Sequence, residues 1–261
     1  MDMTEIAKKS RISALQIVGR ARSPHIGSSL SCIDILTVLY SRINSKIELA
    51  SQEKVVLVSK GHAAAGVYGV MFNFGLISKK QLDSYCKDGG ELSGHVTAGS
   101  FIELSTGSLG HALPYAVGRA LAMKRQGINR EIYVLISDGE CDEGSNWEAA
   151  LIASHLQLHS LKVIIDRNFL QSLKSTEETI RLEPLADKWK AFGWSVVDID
   201  GHDRKEIEDF LDTRFENPSI AIARTIKGYG VSFMENSIDW HYRSPNDAEL
   251  KSAIQEIETH A

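Results

Sequence analysis

The sequence predicts an α/β fold, a parallel sheet with helices on both faces, and three observations carry that expectation. Residues 132–137 (IYVLIS) and 161–166 (LKVIID) are short, continuous apolar runs of the kind that form strands buried on both sides. A helix-like stretch separates them, and a strand, a helix and a parallel strand make one right-handed crossover unit. The rest of the chain keeps the same alternation of short apolar runs and longer amphipathic segments, the pattern of a sheet covered by helices.

Taken in order, Met3–Ala21 reads as an amphipathic helix with Ile6, Ile12, Leu15 and Val18 along one face. Residues 31–40 form a second helix, and 55–58 a short buried strand. A glycine turn follows, then a helix over 62–74 and another over 78–86. Residues 106–123 read as helical, with small residues near the start that permit close packing. Strand 132–137 leads through a helical run ending near His159 to strand 161–166. A short helix (184–192), a strand (195–199), a helix (204–215), a strand (220–225) and a terminal helix (246–258) complete the chain. No repeat, low-complexity tract or Pro/Gly-rich linker interrupts it, so 1–261 reads as one domain.

The bulk properties exclude several functions. With 43% hydrophobic residues the chain can bury a substantial core. A net charge of −5 with scattered Lys and Arg gives no support for a nucleic-acid or membrane partner. Residues 1–10 are polar and hold no signal-peptide core. No apolar run reaches the roughly 18 residues of a spanning helix. Cys32, Cys86 and Cys141 are far apart and odd in number, which argues against a disulfide framework or a zinc site and fits a cytoplasmic protein.

The chemistry-bearing residues gather at strand ends. Asp138-Gly139-Glu140 closes one buried strand and Asn168 closes the next, so both emerge at the carboxyl edge of one sheet, where open α/β sheets bind ligands. A carboxylate and an amide oxygen form a hard-oxygen pair suited to Mg²⁺. A helix–loop–helix calcium loop fails, because its sixth and twelfth places, counted from Asp138, hold Glu143 and Ala149. Gly107-Ser108-Leu109-Gly110-His111 precedes an apolar segment. Such a run serves either packing and capping or the receipt of a diphosphate at a helix N-terminus. It matches neither a dinucleotide fingerprint nor a Walker phosphate loop. Among nine histidines, His25, His62 and His95 lie in Gly- or Pro-bearing turns, and His241 follows Trp240 in a polar tail.

The stretch from Ser137-Asp138-Gly139 to Asp166-Arg167-Asn168 resembles the thiamine diphosphate signature, in which a Gly-Asp-Gly leads to a later Asn; Ser137 replaces its first glycine. From Ser23-Pro24-His25-Ile26-Gly27 to Trp240-His241, the chain resembles the N-terminal, diphosphate-binding half of a transketolase. The resemblance implies that Asp138, the Asn168 side-chain oxygen and the Leu170 backbone carbonyl bind Mg²⁺. It places Gly107, Ser108, Leu109, Gly139 and Glu140 at the cofactor. It sets His25 and His241 toward donor or acceptor sugar, and His62 and His95 near the cofactor and its reacting carbon, with His62 and His241 also as cofactor contacts. Glu143 matches an acid that joins a carboxylate network between catalytic chains; a helix-start acid complementing the dipole is the plainer reading. His155, His159, His202 and His260 match nothing and read as surface residues.

In that family a second domain holds the cofactor's pyrimidine ring and supplies a glutamate to it. This chain stops at Ala261, which implies a split enzyme. Its N-terminal subunit would transfer a two-carbon ketol unit from a ketose, a sugar or sugar phosphate, to an aldehyde. A separate C-terminal transketolase subunit would carry the pyrimidine-binding domain, with two copies of each in a heterotetramer. Trp147 and the small residues of 146–153 are expected to face a neighbouring chain. The alternatives are another thiamine carboligase, a 2-oxoacid dehydrogenase component, which the histidine set disfavours, or a non-catalytic homologue.

Overall fold

The computed structural model describes residues 2–43, 47, 51, 53–99 and 101–260; both ends of the expected domain, Met1 and Ala261, lie outside them. Five strands form one sheet: β1 (Lys54–Val58), β2 (Glu131–Ser137), β3 (Leu161–Arg167), β4 (Ser195–Asp200) and β5 (Ser219–Arg224). Every pairing is parallel and the order is β1-β2-β3-β5-β4. The helices are α1 (Met3–Ala21), α2 (Ile26–Leu30), α3 (Ile33–Ser41), α4 (Ala64–Asn73), α5 (Lys79–Asp83), α6 (Ala112–Arg125), α7 (Gly144–His155), α8 (Thr176–Thr179), α9 (Leu185–Ala191), α10 (Arg204–Asp212) and α11 (Asp247–His260).

Strand residues alternate between two cores. Ile132, Val134 and Ile136 of β2 join Val163 and Ile165 of β3 against α6, α7 and α9. Tyr133, Leu135 and Ile164 point the other way, to α1, α3, α4, α10 and α11. A sheet buried on both faces explains why its strands read as continuous apolar runs rather than alternating ones.

Several boundaries differ from expectation. The helix expected at 31–40 begins only at Ile33, as α3, and an unexpected short helix, α2, precedes it across a break at Cys32, which takes φ −111° and ψ 9°. Both are buried, so no polar face marks the break. The segment expected to start a helix at 106 stays a loop until Ala112, because Gly110 takes φ 79°. In the same way a short 3₁₀ turn over Gly61–Ala63 precedes α4. The helix expected at 204–215 stops at Asp212, where the Lys162 ammonium takes the carbonyls of Leu211 and Thr213.

The interface expectation for α7 is corrected in detail. Ala149, Ala150 and Ala153 face the protein's own core, and Trp147 packs on Trp189 and Phe192 at ring distances of 4.9 and 5.4 Å. The apolar side chains that α7 exposes are Leu151 (59%) and Ile152 (48%).

Candidate active site

The register sets the site. Ser137 of β2 stands level with Asp166 of β3, so Asp138 and Asn168 leave the sheet side by side. Phe169 then takes a left-handed φ of 66°, and its N–H donates to Asp138 Oδ2 at 2.7 Å. The other carboxylate oxygen accepts from Gly139 N at 2.8 Å, and Arg167 Nη1 lies 3.3 Å from Oδ2. Burial, then the nearby Asp166 charge, raises the Asp138 carboxyl to about 6, although Arg167 and the two amides oppose this. A buried carboxylate with a raised pKa is a group that a cation would stabilise.

Asp166 is equally buried and is held by three elements. It accepts from Ser31 Oγ at 2.6 Å, from Thr225 Oγ1 and from the Lys60 ammonium. Asn168 Nδ2 lies 3.3 Å from it, and Asn168 Oδ1 accepts from Leu170 N at 3.1 Å. The carbonyls of Leu170 and Gln171 each accept from the Lys227 ammonium at 3.2 Å. Leu170 O is therefore an oxygen that already faces a cation.

A cavity of about 270 Å³ opens at this edge. Of the residues singled out in the sequence, Asp138, Gly139, Asn168 and Leu170 line its floor, and Gly107 and Leu109 one wall. His25, His62, His95 and His241 line the rest. The His25 ring centroid stands 5.6 Å from that of His62, 5.7 Å from His95 and 5.1 Å from His241. His25 is locked there by a left-handed φ of 74° and by its N–H, which donates to His241 O at 2.9 Å. Burial lowers three of these imidazoles, His25 to about 4, His241 to about 3 and His62 well below its ordinary value, with neighbouring positive charges adding to the effect. All three are neutral near pH 7.

Three expected residues stand apart from the lining. Ser108 is exposed at the tip of its loop, and Glu143 is exposed at the start of α7. Glu140 is fully buried behind the wall; it accepts from Ser59 Oγ, from Gly110 N at 2.8 Å and from Ser137 N at 3.2 Å. It braces the glycine loop rather than opening into the cavity.

Other residues of the site escaped the sequence reading. Lys227 and Tyr242 line the cavity, as do Ser28 and Gln171. Lys227 Nζ also sits 3.0 Å from His241 Nδ1, and burial, with the Lys60 charge, lowers it to about 8. Tyr242 tilts over His25 and His241 with ring distances of 6.1 and 4.8 Å. His202, expected at the surface, has a side chain only 10% exposed, while His155 and His159 are exposed as expected. The His260 side chain lies outside the described ones.

A phosphorylated ligand and a divalent cation both fit this edge. The glycines leave a cradle that a Cβ would fill: one on Gly139 would come within 2.8 Å of Gln171, and one on Gly107 within 3.1 Å of the His95 ring. The residues that line it carry oxygen donors of three kinds, the Asp138 carboxylate, the Asn168 amide and the Leu170 backbone carbonyl, which is the hard-ligand chemistry of Mg²⁺. Fold and edge together define the class, a thiamine diphosphate-binding α/β domain. The chain belongs to the transketolase family: the family described as "Transketolase, thiamine diphosphate binding domain" matches residues 3–259.

Relatives place it further. It is 41% identical to one of the subunits of the apulose-4-phosphate transketolase of Actinobacillus succinogenes, over 97% of this chain and 96% of that one. It is 36% identical to a 6-deoxy-6-sulfo-D-fructose transketolase subunit of a Clostridium species, over 99% and 97%. Human transketolase is 32% identical over 98% of this chain, which spans only 42% of that protein. The crystal structure of Campylobacter jejuni transketolase superposes with a TM-score of 0.90 at 27% identity and is likewise covered over 42% of its length. The expectation of an N-terminal transketolase subunit of the transferase class holds. No helix among the described residues is long and apolar enough to cross a membrane.

Proposed function

We propose that this chain is one 1–261 diphosphate-binding domain that works with a separate C-terminal, pyrimidine-binding transketolase subunit in the cytoplasm. Together they transfer a two-carbon ketol unit from a ketose to an aldehyde, with thiamine diphosphate and Mg²⁺. The observation that carries the reading is the convergence of four histidines on one cavity beside Asp138, Asn168 and Leu170. Of the relatives matched over nearly their whole length, one is named for apulose 4-phosphate and another for a sulfonated ketose, so an anionic ketose is the substrate class.

Asp138, the Asn168 amide oxygen and Leu170 O would hold Mg²⁺, with Lys227 giving up Leu170 O to it. The backbone of Gly107, Ser108, Leu109, Gly139 and Glu140 and the Lys227 ammonium would receive the diphosphate. Bound thiamine diphosphate supplies the nucleophilic carbon and the electron sink for carbon–carbon cleavage. The protein's part is to orient and to move protons. His25, His62 and His241 are neutral, so each ring offers one donor and one acceptor nitrogen to sugar hydroxyls. His95 stands where it can share that work, at the far side of His25. Glu143, exposed at the α7 start, is free to meet the neighbouring chain. Leu151 and Ile152 on α7, with Leu173 (76% exposed) on the loop after β3 and Ile180 (58%) just after α8, offer apolar surface for the partner. A heterotetramer with two copies of each chain would complete two sites.

The test is to mix the chain with its candidate C-terminal partner, then to measure mass in solution and ketol transfer from a panel of ketoses. Transfer only by the complex, and only with cofactor and Mg²⁺, is expected. Normal transfer by the chain alone, or a complex that acts on 2-oxoacids but on no ketose, would overturn the reading.

A further inference from the structure

His202 follows β4 on an edge of the sheet remote in sequence from every cavity residue, yet its ring is spent on the loop that carries Lys227. Gly201 brings it close: its N–H donates to Arg224 O at 2.8 Å, and a Cβ there would lie 2.4 Å from Thr225 Cγ2. His202 Nδ1 lies 2.9 Å from Asp34 Oδ2 on α3, which also accepts from Arg11 Nη2 of α1 at 2.5 Å. His202 Nε2 lies 2.9 Å from Ile226 N, which can only donate. One protonation pattern satisfies both contacts: a neutral ring with its proton on Nδ1, facing the Asp34 carboxylate, and a lone pair on Nε2 for Ile226.

The bond matters because the sheet ends just before it. β5 stops at Arg224, and Thr225 N still finds Arg167 O at 3.1 Å, but Ile226 N lies beyond the last rung. The imidazole supplies the missing acceptor. Tyr229, at the other end of the same turn, stacks on the His202 ring at 3.6 Å with planes 21° apart, and its N–H returns to Ile226 O at 3.1 Å. Between those two clamped residues stands Lys227, whose ammonium reaches Leu170 O, Gln171 O and His241 Nδ1.

We infer that His202, oriented by Asp34, is a positioning residue: it fixes the Ile226–Tyr229 turn and so places the Lys227 ammonium at the diphosphate edge. The inference rests on the proposed function only for what Lys227 binds. His202→Asn and His202→Gln separate the two bonds. The shorter amide reaches Asp34 but falls short of Ile226, whereas the longer one can place its oxygen where Nε2 stands.

Hydrogen exchange at the 225–229 segment of the chain, read by mass spectrometry, reports the clamp directly. Calorimetry of the two-subunit complex with thiamine diphosphate and Mg²⁺ reports its consequence. His202→Asn should speed exchange and weaken cofactor binding by about tenfold, the scale of one buried N–H left without a partner. His202→Gln should restore both to within about threefold of wild type. In a Lys227→Ala background, His202→Asn should change cofactor affinity no further, because both act through one ammonium. Unchanged exchange in His202→Asn, equal loss in Asn and Gln variants, or additive losses with Lys227→Ala would each overturn the positioning role. If Lys227→Ala alone leaves cofactor affinity intact while exchange follows the Asn–Gln pattern, the clamp stands and the diphosphate role of Lys227 falls.

Discussion

Replacing Lys60 with methionine strips a fully buried ammonium from a fully buried carboxylate, that of Asp166. Burial alone would push the Asp166 carboxyl up; Lys60, with hydroxyls from Ser31 and Thr225, overrides it and holds the group below the ordinary carboxylate range. Breaking a buried pair by removing one partner costs about 3–5 kcal/mol, because the other charge stays uncompensated. The two hydroxyls and Asn168 Nδ2 remain as donors to Asp166, so a loss near the lower end, about 3 kcal/mol, is expected. The second variant is Lys60→Met with Asp166→Asn, which removes the orphaned charge but keeps a polar group for those donors. It should recover at least half of the loss.

The sign with pH follows from the same pair. The Asp166 pKa is depressed in the wild-type fold, so its contribution is present above the ordinary carboxylate range and is lost on acidification through the folded value. Without Lys60 burial dominates, the folded pKa rises, and the mutant's deficit should shrink as pH falls from about 7 toward about 5. Urea unfolding followed by circular dichroism, compared at equal m-values, measures all three quantities. A single-mutant loss below about 1 kcal/mol, or a double mutant whose losses simply add, would refute the reasoning.

Asp138→Ala should abolish measurable cofactor binding by the complex while leaving the fold intact; unchanged calorimetric affinity for thiamine diphosphate with Mg²⁺ would remove Asp138 from the metal site. The histidine cluster should make the chain acid-labile. His25 and His241 fall from the ordinary 6.5 to about 4 and about 3, so their contribution is present above 6.5 and drains away as pH falls through those lower values. His25→Asn with His241→Asn should flatten that part of the stability profile, and an unaltered slope would show the rings titrate freely. Leu151→Glu with Ile152→Glu should weaken association with the C-terminal partner by at least about tenfold without altering the chain's own unfolding midpoint; mass photometry across a dilution series would detect unchanged assembly.

The sheet and the edge that carries Asp138 and Asn168 were legible in the sequence because both are local facts. A strand buried on two faces is a run of apolar letters, and the residue after it must emerge at the edge, as Asp138 and Asn168 do. Residues whose roles depend on distant partners were not legible. His202 meets Asp34 across 168 positions and Ile226 across 24. Lys227, set before Gly-Tyr-Gly, reads as an exposed loop lysine until the chain brings Leu170 and His241 to it. Glu140 sits inside a signature, yet its carboxylate turns back to Gly110 and Ser137. Trp147 shows the same limit: an indole beside small residues fits a partner surface or a private core equally well, and here it is half-buried against Trp189 and Phe192.

The backbone bond from His25 to His241, with Gly228 N donating to Gly27 O at 3.0 Å, joins the beginning of the chain to its last quarter. Closing so long a loop costs chain entropy that local contacts do not, and these two bonds are among the contacts that hold it closed. The four-histidine cavity is thus shared between distant parts of the chain: the first two thirds carry the Asp138–Asn168 edge with His25, His62 and His95, and the last quarter adds Lys227 and His241.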